Sequence, residues 1–193
     1  MSRLGRKLQA AGFSVRRFTY PSTAGQLDVH SRQLLEFCRQ SRSERLHFVA
    51  HSLGGLVCLH LLHQNPDLPP GRVVLMGSPL DGSAVARRST RLPGAGQLLG
   101  QVRTVLEHGY GELPAGRETG MIAGTRDIGL GKLVGGAGKP GDGTVAVAET
   151  RTTGLKDHVL LPVTHTGMLF SSSVARQVIC FLQTGSFDWP AAC

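Results

Sequence analysis

Leu46-His47-Phe48-Val49-Ala50-His51-Ser52-Leu53-Gly54-Gly55-Leu56-Val57 carries an apolar run into a helical pattern through one serine flanked by small residues. A serine between the end of a buried strand and the first turn of a helix sits in a sharp turn that pushes its hydroxyl above the sheet. Gly54 and Gly55 fit that turn, because bulk there is expected to collide with the neighbouring strand. The helix N-terminus adds free backbone N–H groups and a positive dipole end, which suit a developing oxyanion.

Outward from this stretch, the chain alternates. Leu4 and Leu8 mark a short amphipathic helix closed by Gly12, and Phe13 to Tyr20 alternates up to Pro21 as a strand would. Leu27, Leu34, Leu35 and Cys38 share one stripe of a helix from about Gln26 to Gln40. Arg45 to Ala50 is the strand before Ser52. Leu56 to Leu62 is apolar nearly all round and predicts a buried helix, stopped at Asn65-Pro66. Arg72 to Gly77, Met121 to Thr125 and Asp157 to Val163 read as further strands, and Val174, Val178 and Phe181 outline a closing helix with Ser172 or Ser173 as its N-cap. Alternation of this kind predicts an α/β fold with a doubly wound, mostly parallel sheet, and ligands at the carboxyl ends of its strands.

The 193 residues predict one domain spanning 1–193. Residues 81–120 form a looser interval, with a helical pattern from Gln97 to Leu106, and suit a small lid or cap. The net charge is +8, but the basic residues are scattered and have no aromatic interleaving. Nucleic acid is therefore not expected as a partner, and peripheral contact with an anionic membrane surface is the expectation that the charge leaves open. Cys38, Cys58, Cys180 and Cys193 form no C-x-x-C pair and no zinc-like spacing, so reduced thiols are expected. No His/Asp/Glu cluster has metal-ligand spacing, and neither a metal nor another cofactor is called for. The glycine-rich run from Gly129 to Gly143 is not a phosphate loop, since Leu133 and Pro140 stand where that motif needs glycine and Ser or Thr. Without an apolar signal segment, the chain as written is expected to be cytoplasmic.

Ala50-x-Ser52-x-Gly54 differs by one small residue from the G-x-S-x-G elbow and resembles the serine esterases and lipases of the α/β-hydrolase fold. That resemblance implies Ser52 as nucleophile and partners in the order acid, then histidine, each on a loop after a strand. His165, after the last strand, matches the histidine position. Asp142, in Gly141-Asp142-Gly143-Thr144-Val145, resembles the acidic turn of bacterial lipases, with Asp81 as the rival acid. Leu53 N–H is the expected oxyanion donor. His51 is expected to pack as structure, pointing away from Ser52, and His60 and His63 to be satisfied structural histidines.

The implied activity is hydrolysis of a carboxylic ester or lipid through an acyl-enzyme, with an acyltransferase, a thioesterase or a weak, hydrolase-like binding protein as alternatives. The resemblance covers roughly residues 4–185. It implies earlier strands and a second oxyanion loop, often His-Gly, before the first helix. The chain's His108-Gly109 lies between later strands instead. A natural start upstream of Met1 is the first expectation that follows, beside a naturally minimal hydrolase using another donor and a decayed, non-catalytic relative that only binds.

Overall fold

The computed structural model describes residues 2–21, 26–82, 109–128 and 140–188. Helix α1 (Ser2–Ala10) and helix α2 (Leu27–Arg39) precede strand β1 (Phe48–His51), helix α3 (Leu53–Gln64), strand β2 (Val73–Met76), strand β3 (Thr119–Gly124), strand β4 (Asp157–Leu161) and helix α4 (Ser172–Thr184). Short 3-10 turns cover Val147–Thr150 and Thr166–Leu169. All four strands are parallel and lie in the order β1-β2-β3-β4. The expected helix from Gln97 to Leu106, most of the 81–120 interval and most of the 129–143 run lie outside the described residues. No helix among the described residues is long and apolar enough to cross a membrane.

Period-two geometry explains why β2 is apolar at every position. Val73 and Leu75 face the core shared with α2 and α3, while Val74 and Met76 face the one shared with α1 and α4. Met121 and Ile122 of β3 divide in the same way. Helix α3 is buried nearly all round, as its composition predicts. The closing helix starts one residue earlier than expected: Ser171 is its N-cap, accepting a hydrogen bond from the Val174 N–H at 3.3 Å.

Phe13 to Tyr20 is not a strand. Its alternation breaks at Arg16-Arg17, so Phe13 and Val15 pack toward the α1/α4 core, whereas Phe18 and Tyr20 pack toward the α2/α3 core. Side chains hold the segment instead of a ladder. Phe18 stacks near Tyr20 and tilts against Phe37, and the Arg16 guanidinium sits 4.1 Å above the Phe37 ring while donating to the Phe37 carbonyl. Between this segment and β1 runs a largely apolar cavity of 650 Å³, reached by Phe37, Val57 and Cys58 from the two helices beneath. Among the described residues β1 therefore pairs on one edge only.

Candidate active site

Ser52 is the only non-glycine residue with positive φ among the described residues, at φ 54° and ψ −129°. An L-residue avoids this region at a cost of about 1–3 kcal/mol, and the surroundings must over-determine it. They do so from both sides. The Ser52 N–H continues the ladder to the Met76 carbonyl at 2.9 Å, and its own carbonyl accepts the Gly55 N–H at 3.0 Å to start α3. The serine side chain makes no capping hydrogen bond, unlike an ordinary N-cap, so the hydroxyl is left for other use. The Leu53 N–H is likewise uncommitted among the described residues.

The two glycines after the serine differ in what they do. A Cβ at Gly55 would lie 2.1 Å from Ser78 Oγ, in the loop after β2, so this glycine lets the helix close onto the sheet. A Cβ at Gly54 would meet only the Tyr20 hydroxyl, at 3.7 Å. The expected collision thus applies to Gly55 and not to Gly54.

Asp142, buried, and His165, partly buried, come together as a pair. The His165 ring donates Nδ1–H to Asp142 Oδ2 at 2.7 Å. The donor is settled by chemistry, because a carboxylate only accepts, and the neutral ring then presents Nε2 as a bare acceptor. The other Asp142 oxygen accepts the Thr144 and Val145 N–H groups at 2.9 and 2.8 Å, so the carboxylate, 1% exposed, is fully satisfied. Backbone adds to this, since the His165 N–H donates to the Asp142 carbonyl at 2.8 Å. Asp81, the rival acid, has an exposed side chain with no ion pair among the described residues.

Ser52 Oγ makes no hydrogen bond to His165 among the described residues. The link between Ser52's turn and His165 runs instead through His51, whose Nε2 lies 2.9 Å from the His165 carbonyl and whose ring centroid is 4.5 Å from that of His165. Sequence does not predict this contact; the only signal for it is a polar ring beside Ser52 on a strand end. His60 and His63 are satisfied by Asp28, at 2.5 Å, and by the Glu112 carbonyl, at 2.7 Å.

No protein-family model matches the chain, and no curated protein does either. Solved structures do. A metagenomic carboxyl esterase superposes with a TM-score of 0.65 at 18% identity, over 84% of this chain and 57% of its own. Phospholipase PlaB from Legionella pneumophila, in complex with thio-NAD, gives 0.67 at 16% identity over 95% and 55%. The mature lipase BlEst2 of Bacillus licheniformis gives 0.58 at 18% identity over 75% and 69%. The chain thus spans a little over half the length of the first two. At these identities the likeness establishes the α/β-hydrolase fold.

Proposed function

We propose that the protein is a serine hydrolase of carboxylic esters, with Ser52 as nucleophile, His165 as general base and acid, and Asp142 as the group that orients and stabilises His165. The observation that carries this reading is the strained Ser52 backbone at a strand-to-helix turn, on the same end of the sheet as a partly buried Asp142–His165 hydrogen bond. The names of the superposing esterase, lipase and phospholipase support the choice of an ester, whether a small ester or a lipid.

Ser52 Oγ would attack the ester carbonyl while its proton passes to His165 Nε2. The carbonyl oxygen takes up the negative charge and is met by the Leu53 N–H at the start of α3. Collapse breaks the ester C–O bond, His165 gives its proton to the leaving alkoxide, and the acyl group stays on Ser52. Water, deprotonated by His165, then releases the acid and restores the hydroxyl.

A fluorophosphonate probe and a short p-nitrophenyl ester test this together. Labelling and hydrolysis are expected in the wild type and absent in Ser52→Ala; if both signals persist in Ser52→Ala, the reading fails.

A further inference from the structure

His165 is held at both polar ends of its own peptide. Its N–H donates to the Asp142 carbonyl, and its carbonyl accepts from His51. The first bond ties the base to the acid, and the second ties it to the strand end that carries the nucleophile. Because a carbonyl oxygen only accepts, His51 Nε2 must bear the proton, and the neutral ring leaves Nδ1 free of it.

We propose that His51 is a positioning residue: its Nε2–H···O bond to His165 sets the distance between the base and Ser52. The inference rests on the Ser52–His165–Asp142 reading above. His51 is one peptide unit from Ser52, so any shift of β1 carries the nucleophile and the anchor together. His165 follows β4, at the opposite edge of the sheet from β1. Its Asp142 bonds and its packing over Gly77 join it to the middle of the sheet, and the His51 bond joins it to the strand end that carries the serine. A misplacement of 1 Å between reacting groups costs about a hundredfold in rate, which sets the scale of what one such anchor controls. The ring suits the task. It has few rotatable bonds, it is largely shielded, and while neutral it does not oppose the imidazolium that forms on His165 during the reaction.

His51→Phe keeps a ring against His165 and removes the donor, while His51→Gln restores an N–H donor without the ring. With a p-nitrophenyl ester, His51→Phe is expected to lower kcat about 10- to 100-fold with KM changed less than about twofold. Fluorophosphonate labelling of Ser52 should slow by the same factor, and His51→Gln should recover most of the loss. Proton NMR gives a readout independent of turnover: the downfield Nδ1–H resonance of His165 should persist in wild type and His51→Gln and broaden in His51→Phe. Should His51→Phe fail to fold, His51→Asn, whose shorter amide falls short of the carbonyl, replaces it with the same expected losses.

Wild-type kcat and an unbroadened resonance in the folded variant that lacks the bond, His51→Phe or His51→Asn, would overturn the proposal. So would equal losses in His51→Phe and His51→Gln, or a change confined to KM. Undiminished hydrolysis in Ser52→Ala would instead overturn the hydrolase reading on which the proposal stands.

Discussion

Gly77 lies directly beneath His165: a Cβ at this position would come within 3.2 Å of His165 Nδ1 and 2.9 Å of Asp142 Oδ2. Gly77 is the first residue beyond β2, and Gly124 ends β3 with a Cβ position 2.4 Å from the Val163 carbonyl oxygen and 2.7 Å from Asp142 Cβ. The two middle strands therefore end without side chains, and the loops that carry His165 and Asp142 lie flat across them. Gly77→Ala also places an L-residue at φ 58°, and is expected to destabilise the fold by about 1–3 kcal/mol while lowering kcat more than tenfold. Gly124→Ala meets backbone, which cannot swing aside, and should be at least as damaging. Thermal melts beside ester hydrolysis check both. Unchanged activity in either variant would contradict this account of the site.

Strain at Ser52 gives a prediction of opposite sign. Ser52→Gly relieves a backbone conformation that L-residues avoid, so the variant should be inactive yet more stable by about 1 kcal/mol, after allowance for the greater entropy of glycine in the unfolded chain. Ser52→Ala removes the hydroxyl but keeps the strain, and should gain nothing. Urea unfolding of the two variants side by side separates nucleophile loss from strain relief.

Acid stability should carry the mark of His51. Burial first, then the charge on the neighbouring His165, push its imidazole from 6.5 down to about 4, with the Asp142 charge and the His165 carbonyl bond opposing the shift. Between these values the unfolded chain binds a proton that the native one does not, so stability is present above pH 6.5 and falls as pH drops toward 4. His51→Gln should flatten this part of the curve. Burial also lowers His47 and His158, so the informative quantity is the difference in slope between variant and wild type, not the wild-type slope alone.

Strand β1 should show alternating amide exchange. The Phe48 and Ser52 N–H groups bond to the Arg72 and Met76 carbonyls at 2.9 Å, while those of His47, Val49 and His51 face the cavity side and have no partner among the described residues. By NMR, the paired amides are expected to exchange at least about a hundredfold more slowly than the unpaired ones. Uniform protection along β1 would mean that its outer edge is covered.

The elements legible in sequence were those with one unambiguous period. The four-residue apolar run of β2 and the all-round apolar surface of α3 admit little besides a buried strand and a buried helix, and they place the elbow between them. Phe13 to Tyr20 misled because each half alternates correctly, and only the shift of phase at Arg16-Arg17 betrays that it cannot present one face to a sheet. Asp142 was legible through its Asp-Gly turn, where the carboxylate satisfies two of the turn's own N–H groups. His51 was not, because its partner is a backbone carbonyl 114 residues away, and carbonyls leave no trace in sequence.

Among the described residues β1 is supported like a cantilever, clamped to β2 along one side and bordered by the 650 Å³ cavity along the other. The bond from His51 to His165 then acts as a second bearing at the free tip, where the serine stands. Loss of that bond should therefore loosen the placement of Ser52 against His165 before it disturbs the helices and the remaining strands.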